Sequence, residues 1–282
     1  MMVKKRKYKP IKWKVVLCHI FLIIIAAVMV FPFLWMLLCS LKTTAEITQI
    51  PPAFFPENWT YFDNFIDVMT KYNFGIFFLN SLKYSVLKTL IVLYVSAIIG
   101  YVLAKFKFRG NKFIFLMILS TMMIPWPATL IPSYQMMVWF DWLNTDISIL
   151  YTAFTSAFGV FMMRQFALSI PDSLIEAARI DGAGELKIFH KIVLPMMLNA
   201  IGALAIFTFL WEWDNYLWPY LMLSDPDKYT LPIGLAMTQG QFVADYGPMF
   251  AGISICVIPV LIVYLIFQKT FIQGIALGGV KE

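Results

Sequence analysis

Charged residues are scarce in this sequence of 282 residues: only 13% are Asp, Glu, Lys or Arg, and 61% are hydrophobic. Soluble domains carry about 25% charged residues, so this composition excludes a large soluble domain and indicates several membrane spans. The formal net charge of +6 comes mostly from residues 1–14, which are basic and contain no acidic residue. Such a concentrated basic tail bears on membrane orientation and does not indicate a nucleic-acid partner.

Histidine and cysteine, the residues that most often bind metals or act in catalysis, are also few. The two histidines, His19 and His190, are isolated in the sequence, so neither a metal cluster nor a catalytic triad can be drawn. The three cysteines, Cys18, Cys39 and Cys256, lie in apolar surroundings without the spacing of metal ligands. We therefore expect buried thiols, and neither a metal site nor a catalytic site.

The phosphate-binding loop GxxxxGK[ST] is absent from the sequence. This chain is therefore not expected to hydrolyse ATP, and if ATP drives its work, another subunit binds the nucleotide. An ion-driven secondary transporter would need carboxylates at membrane depth or broken helices related by an inverted repeat. The sequence shows no internal repeat, and its first four apolar segments are almost free of acidic residues.

Six apolar segments, each long enough to cross a bilayer, follow one another along the chain. They lie at about residues 15–38, 78–104, 113–134, 147–166, 196–218 and 249–267. The third contains Pro125, Pro127 and Pro132, and proline bends a membrane helix and frees carbonyls that the bilayer cannot solvate. We expect that helix to be kinked, and packed inside a bundle or beside a cavity. The predicted fold class is an all-α membrane protein with six transmembrane helices.

Basic and acidic residues between these segments fall on opposite sides of the predicted membrane. Residues 1–14 and 105–112 are basic, whereas residues 40–75 and 224–248 are net acidic. By the positive-inside rule, both termini lie in the cytoplasm. The predicted division is residues 1–75 (basic tail, first helix and outer loop), 76–275 (transmembrane domain) and 276–282 (cytoplasmic tail).

Polar residues at membrane depth are the candidates for lining a solute path. Lys88 lies inside the second segment, where an ionisable residue usually has a function. We favour a different interpretation for Lys88, in which its long side chain carries the ammonium group to the outer interface. Glu212, Asp214 and Asn215 lie near the outer end of the fifth segment, with Asp214 about 27 Å from Met196 in a continuous helix. They form either an interfacial cluster or part of the path, and both interpretations remain open. The other path candidates are Gln135, Trp213 and Trp218.

Residues 170–195, IPDSLIEAARIDGAGELKIFHKIVLP, form a polar, helical island between two apolar segments. Pro171 suits the first turn of a helix, and Gly182 is expected to end that helix because glycine adopts the left-handed conformation without strain. A second short helix is predicted at about residues 185–194 and is closed by Pro195. The predicted apolar positions are Leu174, Ile175, Ala177, Ala178, Ile180, Leu186, Phe189 and Val193. The result is a two-helix elbow at a membrane surface, apolar on one side and charged on the other.

This elbow resembles the cytoplasmic coupling loop of the inner-membrane permease subunits of ATP-binding-cassette (ABC) importers. The family pattern is Glu-Ala-Ala, three residues, Gly, nine residues and then Ile-x-Leu-Pro. Glu176 begins this pattern in the present sequence, Gly182 occupies the glycine position, and Pro195 ends it. The residues that the resemblance assigns to coupling with an ATPase are Glu176, Ala177, Ala178, Arg179, Asp181, Gly182, Ile192, Leu194 and Pro195.

Other segments resemble the second of the two unlike permease subunits of maltose-type sugar importers. They are MMIPWPATLIPSY (122–134), GVFMMRQFALSIP (159–171) and TFLWEWDNYLWP (208–219), followed by YTLP (229–232). The resemblance covers about residues 76–275. One departure is the order Asp214-Asn215, where the family commonly has Asn followed by an acidic residue.

The resemblance implies a permease of the bacterial inner membrane that forms half of the path for a sugar or oligosaccharide. The implied partners are a second permease in a heterodimer, two copies of an ATPase that holds ATP and magnesium, and an extracytoplasmic solute-binding protein. No cofactor is expected in this chain itself. The implied contacts with the binding protein are Gln239, Gly240, Gln241 and Asp245. Two alternatives remain open: a non-sugar solute, such as an amino acid or a glycerol-phosphate compound, and an ion-driven secondary transporter.

Overall fold

The structure is a computed structural model that describes residues 13–238 and 245–279, with the side chains of the last helix described as far as residue 268. Every element in this part of the chain is helical. The α-helices are α1 (Trp13–Cys39), α2 (Thr44–Thr48), α3 (Asp63–Thr70), α4 (Phe74–Lys105), α5 (Asn111–Thr121), α6 (Trp126–Trp139), α7 (Asp146–Leu150), α8 (Ala157–Leu168), α9 (Asp172–Ile180), α10 (Glu185–Ile188), α11 (Leu194–Met196), α12 (Leu198–Trp213), α13 (Leu217–Met222), α14 (Leu231–Met237) and α15 (Tyr246–Gly279). Tyr151–Thr155 and Pro226–Lys228 form 3-10 turns, and Phe189–Val193 forms a π turn.

The predicted apolar segments correspond to four continuous helical stretches and two bent pairs. The continuous stretches are α1, α4, Asp146–Leu168 and the Tyr246–Gln268 part of α15. The bent pairs are α5 with α6, at 98°, and Glu185–Met196 with α12, at 77°. Among the described residues this gives four candidate spans, or six if each bent pair crosses the membrane once. The all-α fold class is confirmed, and the count of six spans stays a prediction.

The bend between α5 and α6 lies where the third apolar segment carries its prolines. α5 ends at Thr121, and α6 begins at Trp126, directly after Pro125. The residue before a proline avoids the α conformation, so the chain leaves the helix before Pro125. The sequence predicted a kinked helix, and the resulting 98° bend is a complete break in it. Pro132, by contrast, lies within α6.

The fifth apolar segment is also interrupted, although the sequence predicted a continuous helix to Trp218. α12 stops at Trp213, and α13 begins at Leu217 after a break at residues 214–216. The break contains Asp214 and Asn215, whose side chains compete for backbone hydrogen bonds and disfavour helix interiors. The interruption ends α12 one residue after the buried carboxylate of Glu212.

α4 is the central helix of the bundle and packs against α8 and α12. Its approach to α8 is close at Gly100, where an added Cβ atom would lie 2.7 Å from both the backbone nitrogen of Arg164 and the Cβ of Met163. Arg164 also donates a hydrogen bond from Nε to the carbonyl oxygen of Leu103 at 3.2 Å. α4 and α8 therefore form a closely packed pair near the C-terminal end of α4.

Two ion pairs on α4 are separated by a distance close to the thickness of a bilayer. Lys83 Nζ lies 3.0 Å from both carboxylate oxygens of Asp146, and Lys105 Nζ lies 2.6 Å from Asp172 Oδ1. The two lysines are 22 residues apart, or about 33 Å along a helix, and a hydrocarbon core is about 30 Å thick. The two pairs thus mark opposite membrane surfaces, which we call the elbow side (Asp172) and the far side (Asp146).

α1 stands apart from the other helices over most of its length. It packs against α15, and its buried residues, Met36 and Cys39, both lie near its C-terminus. Nothing in its most apolar window of 18 residues is buried. The prediction of buried thiols is therefore wrong for Cys18, which is exposed on α1, whereas Cys39 is buried and Cys256 is partly buried.

Candidate functional site

The first elbow helix, α9, ends where the sequence predicts, and it begins directly after Pro171, which lies just before the first turn and not within it. Pro171 has φ −61° and ψ 130° just before the first helical residue, and Gly182 has φ +76° after the last turn. The Gly182 N–H donates to the Arg179 carbonyl at 3.0 Å, and the Ala183 N–H donates to the Ala178 carbonyl at 2.9 Å. These two bonds form a Schellman motif, which requires a left-handed residue at the glycine position. The predicted conformation of Gly182 is confirmed.

The second part of the elbow continues further than predicted. α10, the π turn at residues 189–193 and α11 form one helical stretch that ends at Met196, so Pro195 lies in the last turn and does not close the helix. Proline has no N–H to donate to the carbonyl four residues earlier, and a wider turn next to it accommodates that loss. The Leu194 N–H accordingly donates to the Phe189 carbonyl, five residues back.

The buried face of the elbow is narrower than the predicted apolar stripe. Ile175 and Ala178 of α9 are buried, as are Ile188, Phe189 and Val193 of the second stretch. The apolar side chains of Leu174, Ile180 and Leu186 are 44%, 86% and 74% exposed, respectively, and Ala177 is exposed as well. Two short helices packed against one side of a bundle can bury only the side chains that point toward it. The outward face therefore presents apolar residues together with Glu176, Arg179 and Asp181.

The elbow is tied to the C-terminal end of α4 by residues that no sequence motif identified as part of the site. Lys105 Nζ donates to the Ile170 carbonyl at 2.5 Å and to Asp172 Oδ1 at 2.6 Å. The Tyr101 hydroxyl donates to Glu185 Oε2 at 3.2 Å. The hydrogen bond from Lys105 lowers the pKa of Asp172, so this carboxylate keeps its charge to a lower pH than an unpaired one. In the sequence, Lys105 indicated only on which side of the membrane its loop lies.

Arg179 and Glu185 join the two halves of the elbow to each other. Arg179 Nε donates to Glu185 Oε1 at 2.6 Å, and its guanidinium group lies 5.8 Å from the centre of the Phe106 ring. Phe106 directly follows α4, and its ring meets that of Tyr101 edge to face at 5.5 Å. The predicted coupling residue Arg179 therefore also has an internal role, because it fixes α9 relative to α10.

A buried ion pair links α4 to α12 at membrane depth. Lys88 Nζ lies 2.5 Å from Glu212 Oε2, and the two side chains are only 12% and 2% exposed. Asn215 Nδ2 also donates to Glu212 Oε2, at 3.1 Å. Lys88 is five residues from Lys83 toward the elbow side, or about 7 Å along the helix. The pair therefore lies below the far surface, within the core.

The favoured prediction that Lys88 extends to the interface is wrong, because a buried carboxylate of another helix compensates its charge. Glu212, which the sequence could only group with Asp214 and Asn215 as neighbours, is the central acceptor of this cluster. No local pattern identified it as the partner of Lys88, since the two residues are 124 positions apart.

The two tryptophans predicted to line a solute path are both buried in this structure. Trp213 is 2% exposed and donates from Nε1 to the Cys256 carbonyl on α15 at 3.0 Å. Trp218 is 3% exposed and donates to the Ser148 carbonyl on α7 at 2.8 Å. Both rings therefore brace neighbouring helices in this conformation. Of the other candidates, Gln135 and Asp214 are exposed, and Asn215 is partly exposed.

The predicted contacts with a binding protein are only partly covered by the structure. Gln239, Gly240 and Gln241 lie outside the described residues. Asp245 accepts hydrogen bonds from the Thr44 hydroxyl at 3.3 Å and the Tyr72 hydroxyl at 3.5 Å. It therefore connects the start of α15 to the far-side loop between α1 and α4.

Sequence and structure comparisons extend over most of the chain. Residues 96–276 match the family described as binding-protein-dependent transport system inner membrane component. The arabinooligosaccharides transport system permease protein AraQ of Halalkalibacterium halodurans is 37% identical, over 98% of this chain and 99% of that protein. The diacetylchitobiose uptake system permease protein NgcG of Streptomyces coelicolor is 35% identical, over 92% of this chain and 87% of that protein. A solved chain of a bacterial ABC transporter involved in the import of the acidic polysaccharide alginate matches with a TM-score of 0.81 at 25% identity, over 93% of this chain and 100% of that chain.

Proposed function

This chain belongs to the family of binding-protein-dependent transport system inner-membrane components, and on that premise we propose that it forms half of the path through which an ATP-driven importer carries a sugar or an oligosaccharide. The relatives named for arabinooligosaccharide and diacetylchitobiose transport support this class of solute. In this proposal a second, homologous permease forms the other half, and an extracytoplasmic binding protein delivers the solute. Two copies of a separate ATPase hold ATP and magnesium, and this chain performs no covalent chemistry.

The elbow is the observation that carries the proposal. Its inner face is fixed to α4 and α8, whereas its outer face exposes Leu174, Ile180 and Leu186 beside charged side chains. An apolar centre with a polar rim is typical of a surface that a partner protein covers. We assign this outer face to the ATPase, which places the elbow side in the cytoplasm.

The anchoring of the elbow supports a lever-like mechanism. Lys105 and Tyr101 hold the elbow to one end of α4, and the same continuous helix carries Lys88, whose partner Glu212 lies on α12. A movement of the elbow is therefore passed along a single helix to the cluster at membrane depth. ATP binding closes the ATPase dimer, the elbow follows, and the helices switch the path from one side of the membrane to the other.

Reconstitution of the whole importer tests this function. The chain should co-purify with a second permease and an ATPase, and proteoliposomes that contain the complex should take up a sugar or oligosaccharide only with ATP and the binding protein. If the proteoliposomes take up a glycerol-phosphate compound and none of the sugars tested, the alternative of a non-sugar solute is favoured. Uptake driven by an ion gradient without any ATPase would contradict the proposal as a whole.

Cysteine labelling tests the orientation. Arg109, Gly184 and Asp227 are all exposed, and an added Cβ atom at Gly184 meets nothing within 4 Å. In a background without the native cysteines, Arg109→Cys and Gly184→Cys should react with an impermeant maleimide only from the cytoplasm. Asp227→Cys should react only from outside, and serves as the matched control. Labelling of Gly184→Cys from outside would exclude both the orientation and the contact with a cytoplasmic ATPase.

A further inference from the structure

Aromatic side chains form a continuous series along α1 and the loop that follows α2. The ring of Phe54 lies 6.1 Å from that of Phe31 and 5.5 Å from that of Trp35, both on α1. Phe54 then contacts Phe55 at 5.0 Å, and Phe55 contacts Trp59 at 6.0 Å. We call residues 50–62, which contain the loop half of this series, the aromatic segment.

The aromatic segment lies beside the end of α1 and does not project above it. Phe31 and Trp35 precede Cys39, the last residue of α1, by eight and four residues, or about 12 and 6 Å along the helix. Since Phe54 touches both rings, the segment turns back along the last two turns of an apolar helix. Those turns lie at the far-side end of α1. Asn64 of α3, which precedes the far-side end of α4, donates hydrogen bonds to the carbonyls of Ser40 and Lys42, just beyond α1.

Two polar contacts hold the backbone of this segment in place. The Lys42 side chain is 1% exposed, and its Nζ donates to the Ala53 carbonyl at 2.7 Å and the Phe54 carbonyl at 3.1 Å. The Glu57 N–H donates to Glu46 Oε1 at 2.9 Å. The side chains of Lys42 and Glu46 thus hold the backbone of the aromatic segment on the side that faces the protein.

The outward side chains form an apolar surface that nothing in the described chain covers. Ile50, Phe55, Trp59 and Phe62 are 96%, 60%, 57% and 55% exposed. Residues 47–62 include a single charged residue, Glu57. A group of exposed apolar side chains of this size suggests an interaction site. Tryptophan beside aliphatic and phenyl groups is the composition found at the boundary between lipid tails and headgroups.

We propose that the aromatic segment lies in the lipid headgroup region of the far leaflet, with Ile50, Phe55, Trp59 and Phe62 in contact with lipid. Its continuity with the exposed flank of α1 favours lipid over a soluble partner, since Phe31 and Trp35 belong to the candidate span itself. The segment then fixes the depth and tilt of α1, which has little packing of its own. This inference adds a membrane contact to the proposed transport function and does not depend on which solute is carried.

Spin labels in the assembled importer test the proposal. In a transport-competent background of Cys18→Ser, Cys39→Ala and Cys256→Ala, single labels are placed at Phe55→Cys and Trp59→Cys, and the complex is reconstituted in lipid nanodiscs without the binding protein. Leu34→Cys, on the exposed flank of α1, is the lipid control, and Asp227→Cys, in an exposed far-side loop, is the water control. Collision of each label is measured with oxygen, which concentrates in lipid, and with a water-soluble nickel chelate.

Labels at positions 55 and 59 should resemble the lipid control, with frequent oxygen collisions and nickel collisions several-fold below those at position 227. Nickel collisions equal to those at position 227 would overturn the proposal, because the segment would then lie in water. Rare collisions with both reagents would overturn it as well, since a neighbouring subunit and not lipid would then cover the surface.

Discussion

Gly182→Val leaves this permease in the membrane at near wild-type abundance but removes transport and its coupling to ATP hydrolysis. Gly182 has φ +76°, and a β-branched residue in that conformation costs about 1–3 kcal/mol. The cost does not come from a clash, because an added Cβ atom meets nothing within 4 Å. The strain is too small to unfold a bundle that packs along whole helices. It is large enough to shift the Schellman bonds and change the direction of a short lever.

Gly184→Val is the matched control for this prediction. Gly184 lies two residues further along the same turn, and an added Cβ atom there also meets nothing within 4 Å, but its φ is −71°. We therefore expect the Gly184→Val importer to retain transport. The measurements are the amount of complex in the membrane, the ATPase rate with and without loaded binding protein, and sugar uptake. Wild-type uptake by Gly182→Val, or its loss from the membrane, would mean that the elbow is not a coupling element.

Lys88→Met is expected to destabilise the bundle strongly, by about 3–5 kcal/mol, because it leaves Glu212 buried without its partner. The Glu212 side chain is only 2% exposed. In the variant, the neutral hydrogen bond from Asn215 does not replace the positive charge of the lysine. The expected result is a much lower amount of folded protein and a lower unfolding temperature of the reconstituted complex. Glu212→Met should have a similar effect, since it leaves the lysine unpaired.

The double variant Lys88→Met with Glu212→Met distinguishes the effect of an unpaired buried charge from the effect of altered packing. Replacing both members of a buried pair with apolar groups of similar size is often neutral or stabilising, so we expect most of the lost stability to return. Lys83→Met is the control, because it removes a lysine from an exposed ion pair. The side chains of Lys83 and Asp146 are 39% and 51% exposed, so the free energy of unfolding should fall by only about 0–1 kcal/mol. If Lys88→Met proves no more harmful than Lys83→Met, the pair is not a buried link between α4 and α12.

The elbow could be predicted from sequence because its signals are local. Pro171 at a helix start and Gly182 at a helix end act through the backbone of their own turn. Gly182 has the predicted left-handed conformation, and Pro171 lies one residue before the helix. The apolar stripe was predicted less well. Leu174 and Ile180 have the right residue type for burial, but whether they are buried depends on which side of α9 faces α4 and α8. A helical period gives the relative direction of side chains and not the direction of the neighbouring helix.

By itself, the sequence determined the helical class, the positions of the apolar segments and the turn at Gly182. These features depend on composition and on backbone preferences that act over a few residues. The tertiary structure alone decided that Lys88 pairs with Glu212 and that Trp213 and Trp218 brace other helices. Each of these contacts joins residues far apart in the chain. The free energy of a buried charge or indole N–H is set by the group that meets it, and only the packing of whole helices brings that group within reach.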